Sequence, residues 1–212
     1  MSGPLVYLLN ILSKSIISQF VNGRADMAEP IGVMAVTIFA TKNFLANGNV
    51  SLIDILMAKY HTCCPVLWGV YGSEKTEQGR SRIGWWKQDG EWVSEQRHNE
   101  RMSGLGLGYA AISLRDFSKS QNQNPYPPSN YWKTMSYIVN TSPGQVQPTH
   151  FHVLKALLDG YVPKFVGFYG QAALAVLRKA LVDFPAQAPS EPARDAVLTL
   201  REQIQKEFRI AL

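Results

Sequence analysis

The alternation of apolar and polar positions along the chain follows a helical period nearly throughout. In the first segment Leu5, Leu8, Leu9, Leu12, Ile16 and Phe20 recur three and four apart, which predicts a helix with that stripe buried. "NGRAD" then breaks the pattern. A second helix is expected to open at Glu29-Pro30, where the missing proline N–H costs little. Its buried positions are Ile31, Met34, Ala35, Ile38, Phe39 and Leu45, and "ANGN" is expected to close it. Ser51 and Asp54 predict a capping box for "LIDILMAKYH". Pro65 stops that helix, and the apolar run around it, "CCPVLWGVYG", is compatible with extended backbone.

Residues 75–82 predict a short helix, "KQDGEW" a turn and residues 94–117 a long helix. "NQNPYPPSN" reads as a loop, with Asn130 capping "YWKTMSYIVN", and Thr149 is placed to cap "HFHVLKALLDGY". Residues 163–182 read as one helix burying Phe165, Phe168, Tyr169, Ala172, Leu177 and Leu181. "PAQAPSEP" is a linker, and a last amphipathic helix carries Val197, Leu200, Ile204 and Phe208. About eight helices thus follow one another with no convincing pair of strands. The fold class is all-α, with residues 1–212 as one helical domain. Helix pairs such as residues 4–46 suggest HEAT-like stacking, although no repeat is visible in the sequence.

Composition supports a packed domain: hydrophobic residues are 46% of the 212 and charged residues 17%, so a sizeable core is expected and no long disordered stretch. A net charge of +5 favours anionic partners, whether nucleic acid, a phosphorylated small molecule or an acidic protein face. The two cysteines, Cys63 and Cys64, are adjacent, a spacing poorly suited to a disulfide. No CxxC pair offers zinc-ligand spacing, and a reducing compartment, cytosol or nucleus, is expected. The opening "MSGP" reads as a cloning remnant, and the chain as a piece of something longer. No signal peptide is apparent, and no stretch is expected to reach the uncharged length of a membrane span.

Catalytic chemistry finds little support. "SGLGLGYAA" has Tyr109 where a dinucleotide-binding turn needs glycine, and it follows a charged helical segment rather than a strand. The better reading is a helix with Met102, Leu105, Tyr109 and Ile112 buried, and with Gly104 and Gly108 admitting a close neighbour. His150 and His152 point in different directions and lack a third metal ligand nearby, while His98 reads as solvated. A cysteine at a helix C-terminus is not activated by the dipole. No GxSxG or P-loop occurs, and an enzyme is not expected.

The stretch "SEKTEQGRSRIGWWK", residues 73–87, concentrates Lys75, Arg80, Arg82 and Lys87. Lys75 and Arg82 would share a helical face. Gly84, Trp85 and Trp86 are expected to form a packed turn holding the cations. Three readings stay open from the residues alone: an ordinary ion-paired surface, a compact polyanion site, and nucleic-acid binding with the tryptophans stacking bases. Lys59 and His61, just upstream, either complement a helix C-terminus or face the same anion.

Several strings together resemble one known family: "YLLNILSKSIISQ", "AEPIGVMAVTIFA", "DILMAKYHTCCPVL", "RIGWWKQDGEWVSEQRHNERMSGLGLGYAAI", "NPYPPSNYW" and "FVGFYGQAALAVLRKALVDF". Over nearly its whole length the chain is similar to the C-terminal domain of the Gle-one family, the nuclear-pore mRNA export factor, in its fungal form. The resemblance implies a HEAT-like helical stack related to translation-initiation scaffold domains. It implies activation of a DEAD-box RNA helicase at the cytoplasmic face of the nuclear pore complex, with inositol hexakisphosphate as the tether. The C-terminal segment of an FG nucleoporin is a further implied partner, as are translation initiation factors. No membrane partner and no direct nucleic-acid partner are expected. By region, the resemblance assigns inositol-phosphate binding to Lys14, Lys59, His61, Lys75, Arg80, Arg82, Lys87 and Lys164. The alternatives are an RNA-binding helical repeat and a scaffold that takes a peptide in an apolar groove.

Overall fold

The computed structural model describes residues 3–22, 25–46 and 50–209. Its organising element is α5 (Glu95–Ser113), against which α1 (Gly3–Asn22), α2 (Ala28–Ala40) and α7 (Pro148–Leu158) all pack. Met102, Leu105, Tyr109 and Ile112 are buried, as the spacing requires. Three of its glycines decide how closely the neighbours approach, and at Gly108 a Cβ would stand 2.5 Å from the Phe20 ring. A Cβ on Gly104 would collide with the backbone carbonyl oxygen of Phe20, and one on Gly106 would stand 2.8 Å from Ala156 Cβ. The glycine-rich run therefore serves helix packing, not phosphate binding.

Around this centre lie α3 (Asp54–Cys63), α4 (Glu77–Arg82), α6 (Pro128–Val139), α8 (Val162–Tyr169), α9 (Gln171–Arg178), α10 (Phe184–Ala186) and α11 (Pro192–Phe208). Among the described residues the fold is all-α apart from two minimal antiparallel hairpins, which the pattern of the sequence had not indicated. One joins β1 (Leu45–Ala46) to β2 (Val50–Ser51). The other joins β3 (Lys87–Gln88) to β4 (Glu91–Trp92) with Lys87 opposite Trp92. Asp89 and Gly90 lie at φ 52° and 86°, the left-handed pair that a two-residue hairpin needs.

Several local expectations are corrected. In α1 the buried face is Leu9, Ser13, Ile16, Ile17 and Phe20, whereas Leu8 is exposed and Leu5 and Leu12 are half-buried. α1 does reach membrane-spanning length and apolarity, with a mean hydropathy of 1.3 and Lys14 its only charge. That buried face nevertheless packs into the core. α2 buries Ala35, Val36 and Phe39 and exposes Met34, and it ends at Ala40, before "ANGN". Of that string, Asn47 to Asn49 lie outside the described residues, as do Met1 and Ser2 of "MSGP". Ser51 forms no capping box, because its hydroxyl donates to Phe39 O at 2.9 Å. Pro65–Trp68 is a 3-10 turn rather than extended backbone.

Further along, α6 begins at Pro128, so Asn130 lies inside it. α7 is capped by Gln147 with His150, not by Thr149. The single helix expected over residues 163–182 breaks at Gly170 (φ 52°) and passes through a π-helical turn at Lys179–Asp183. The break rotates the stripe, so Phe168 and Ala172 face solvent while Ala173 and Leu177 are buried. In α11, Val197, Leu200 and Ile204 are buried as expected and Phe208 is half-buried.

Candidate polyanion site

The predicted site residues fall into three places. The first is a concavity of about 500 Å³ between α1 and α3, lined by Asn10, Lys14, Ile17, Ile55, Ala58, Lys59, Thr62 and Cys63. The helix period brings Lys14 and Lys59 here by independent routes. Lys14 flanks the buried Ser13–Ile17 face of α1, and Lys59 the buried Leu56–Tyr60 face of α3. Both ammonium groups are without an ion pair among the described residues. His61, two residues further on, is exposed, its ring edge-on to Trp68 at 5.3 Å, and it does not line the concavity.

The second place is the stretch 73–87. Gly84, at φ 93°, lies so close to the α3 end that a Cβ would stand 2.5 Å from Cys63 O. Gly84, two residues past the end of α4, is thereby fixed against the backbone of Cys63, a residue that lines the first concavity. The cations of the stretch divide. Arg82 and Lys75 are exposed, and Lys75 precedes the cap residue Thr76, so the helical face they were expected to share is not formed. Arg80 turns inward: its Nε donates to Glu74 O at 2.7 Å, and its Cζ lies 4.9 Å from the Trp85 ring centre. Lys87 pairs with Glu77 at 3.0 Å and lies over the Trp92 ring. That ammonium hydrogen bond, more than any other cause, holds the Glu77 carboxyl below the usual range.

The stretch is anchored through one carboxylate. Glu74 Oε1 accepts the Thr149 backbone N–H at 3.0 Å and its hydroxyl at 2.6 Å, at the N-terminus of α7 where orphan N–H groups favour an anion. With its proton given to Glu74, the Thr149 oxygen accepts from His98 Nε2 at 2.8 Å. His98 is therefore protonated at Nε2. It is also fully buried, correcting the solvated reading, and burial holds its pKa down to about 3. The indole of Trp85 stacks on it at 4.0 Å. Gly84, Trp85 and this histidine form the packed turn that positions Arg80.

The third place is separate. Lys164 pairs with Glu29 at 2.5 Å, whose other oxygen accepts from Tyr161 at 3.1 Å, and Arg115 stands 3.8 Å from Glu29. Lys164 lines a concavity with Leu114, Arg115, Asp116, Gly167 and Phe168, apart from the α1–α3 concavity. The structure thus does not bring Lys164 together with Lys14 and Lys59.

Sequence reading missed Arg97 and Arg101, stacked on Trp86 at 5.9 and 4.2 Å, because the i, i+4 spacing that places them looked like an ordinary charged helix face. It also missed Glu74 as an anchor, for which the sequence carries no local signal. A larger concavity of about 1000 Å³ lies between α1 and α5, but there Glu95 and Glu100 stand beside Arg97, a mixed lining that suits a polyanion less well than the two lysines do. Neither cysteine is in a disulfide, and burial pushes the Cys64 thiol up to about 12, leaving it inert at neutral pH. Among the described residues no His/Cys/Asp/Glu group could hold a metal ion.

The comparisons with known proteins agree with this architecture. A family model described as "GLE1-like protein" matches residues 2–181. The mRNA export factor GLE1 of Chaetomium thermophilum is 53% identical over 204 residues, covering 95% of this chain and 38% of that protein. Its Saccharomyces cerevisiae namesake is 25% identical over 178 residues, covering 81% and 32%. The chain therefore spans well under half the length of these relatives. Among solved structures, one of an S. cerevisiae Dbp5 C-terminal-domain variant bound to Gle1 and IP6 matches with a TM-score of 0.82 at 21% identity. That match covers 95% of this chain and 69% of the matched one. A second such complex, carrying a Gle1 variant, matches with a TM-score of 0.82 at 22% identity, covering 96% and 68%.

Proposed function

This chain belongs to the GLE1-like family, and from that premise we propose that it is the part of an mRNA export factor that holds inositol hexakisphosphate and through it engages a DEAD-box RNA-dependent ATPase. The observation that carries the reading is the α1–α3 concavity. Two ammonium groups without an ion pair among the described residues, Lys14 and Lys59, line one space of about 500 Å³, and Gly84 packs against the backbone of Cys63, which also lines it. Mobile point charges converging from separate elements suit a compact, highly charged ring better than an extended strand of nucleic acid. The titles of the matching complexes, Dbp5 with Gle1 and IP6, support the same pairing of ligand and partner.

In this reading Lys14 and Lys59 hold the phosphates, and Lys75 and Arg82 extend the positive field. Arg80 chiefly organises the stretch that carries them, and His61 and Lys164 stand outside the contact set. Ligand and protein surface together grip one lobe of the ATPase. Holding its two lobes partly apart speeds release of RNA and nucleotide. The place of action is the nuclear pore complex, at its cytoplasmic face, and the cytoplasm.

Calorimetry with inositol hexakisphosphate, on the chain alone and with the ATPase, tests this. Lys14→Glu with Lys59→Glu is expected to weaken binding at least tenfold, and unchanged binding at physiological salt would overturn the assignment. A gel shift with single-stranded RNA in the absence of ATPase separates the RNA-binding alternative, which predicts retention with a steep salt dependence. Binding of an FG nucleoporin segment or of translation initiation factors uses other surfaces and is tested by pull-down with the same double variant, which is expected to retain both.

A further inference from the structure

α1 carries an exposed apolar surface that the reading above does not use. Tyr7 is 64% exposed, Leu8 61% and Ile11 45%. Tyr7, Ile11 and Lys14 are spaced i, i+4, i+7 and form one stripe, with Leu8 beside it. The opposite face of the helix, Leu9, Ile16 and Phe20, is committed to the core, so α1 cannot leave the domain to span a membrane. It contains no Asp or Glu.

One continuous surface therefore passes from apolar side chains to the cationic concavity over about one helical turn, roughly 5 Å. A single occupant that covers both must present an apolar layer directly beside clustered phosphates. We propose that α1 meets a lipid surface N-terminal end first, its axis inclined so that Tyr7, Leu8 and Ile11 enter the acyl boundary and a phosphoinositide headgroup sits between Lys14 and Lys59 in the shallower headgroup layer. Charge and polarity match along the same axis: the apolar end meets lipid, Tyr7 is the amphipathic aromatic suited to the interface, and the lysines meet the anionic headgroup layer. A protein partner would need an acidic and an apolar patch in the same register, whereas a bilayer holds the two layers in that order everywhere along its surface.

The inference rests on the α1–α3 concavity being a polyphosphate site, and the experiment separates the two claims. The 212-residue chain is floated with vesicles of phosphatidylcholine alone, with phosphatidylserine added, or with a phosphatidylinositol bisphosphate added. Binding of soluble inositol hexakisphosphate is measured on the same samples by calorimetry. The wild type is expected to float with the bisphosphate vesicles. The triple variant Tyr7→Ser, Leu8→Ser, Ile11→Ser is expected to float about tenfold less or weaker, given the apolar area it removes, while binding the soluble ligand unchanged. All three side chains are exposed, and an unaltered thermal melt confirms that the variant folds.

Flotation of the triple variant equal to wild type overturns the lipid proposal. So does a wild type that binds the soluble ligand but not the bisphosphate vesicles, and that result leaves the concavity reading intact. Loss of soluble binding in the wild type overturns the concavity reading and, with it, the headgroup assignment. Equal flotation with phosphatidylserine vesicles that survives Lys14→Glu with Lys59→Glu overturns the headgroup role. A wild type that elutes as a dimer while the triple variant is monomeric makes the face a self-interface and overturns the proposal as well.

Discussion

Glu74 and Thr149, distant in sequence, are joined by two hydrogen bonds to one carboxylate oxygen, at 2.6 Å from the hydroxyl and 3.0 Å from the backbone N–H. This pair fastens the cation-bearing stretch to the start of α7. Thr149 passes the order on through His98 to Trp85, over whose ring Arg80 lies. Replacing Glu74 with alanine leaves a helix-terminal N–H and a threonine hydroxyl without their acceptor. Hydrogen bonds to a charged group are worth about 1.5–3 kcal/mol, so Glu74→Ala is expected to cost about 2 kcal/mol in urea unfolding, and Glu74→Gln less.

Stability is expected to fall with pH below neutrality. Burial holds His98 near a pKa of about 3 and His150 near about 4, against roughly 6.5 in the unfolded chain. Both values are depressed, so the folded state binds protons less readily. The stability contribution is complete above the unfolded pKa and is lost as pH drops toward the folded values. Between pH 7 and pH 5 each histidine is expected to cost about 2 kcal/mol. Half-buried His152 shifts the same way, mainly by burial. Urea unfolding across that range checks the slope, which flattens if one of the histidines is solvated.

Gly104→Ala gains about 1 kcal/mol of helix propensity but puts a methyl group onto the Phe20 carbonyl oxygen. Backbone cannot yield as a side-chain tip can. A net loss of about 2 kcal/mol or more is expected, read as a lowered melting temperature. Gly167→Ala, with open space around it, serves as the tolerated control.

Glu77 places a carboxylate among the cations of the stretch, bonded to Lys87 and near Arg80. The pair is solvent-exposed and screened, so Glu77→Gln is expected to leave stability nearly unchanged. If the stretch contributes to the polyanion field, the same variant tightens inositol hexakisphosphate binding by a few-fold, and the gain shrinks as salt is raised. Calorimetry at two ionic strengths measures it, and an unchanged affinity would remove the stretch from the site.

Lys164 is held by Glu29 beside Tyr161 and Arg115. Lys164→Ala is expected to leave inositol hexakisphosphate affinity within about twofold while lowering stability by up to about 1 kcal/mol. A tenfold loss of affinity without a stability change would return Lys164 to the binding set.

What was legible in the sequence was local. The three-to-four spacing of Met102, Leu105, Tyr109 and Ile112 made α5 readable. The glycines between them announced close neighbours, and Asp89-Gly90 marked a turn. Each of these signals rests on periodicity or on a backbone preference carried by the residues themselves. The misreadings came where a distant partner outweighed local preference. Thr149 has the chemistry of a helix cap, yet its hydroxyl serves Glu74. His98 sits in a charged run, yet its ring is sealed under Trp85. Leu8 fits the apolar period of α1, but the core takes the Leu9–Ile16–Phe20 face instead.

The same division holds for the site. Of the proposed site only the surplus of cations was legible, compatible with an ordinary surface, a polyanion site or nucleic-acid binding, whereas the family followed from long matching strings. Which cations converge was not legible, because Lys14 and Lys59 lie on different helices that share no sequence period. Only the packing of α1 on α3 brings their side chains to one space. Arg80, Lys87 and Lys164 stood in the same candidate set as Lys14 and Lys59, and tertiary structure gave each of the three a partner of its own. A charge is available to a ligand only where the fold leaves it unpaired, and that is decided by contacts across the chain, not along it.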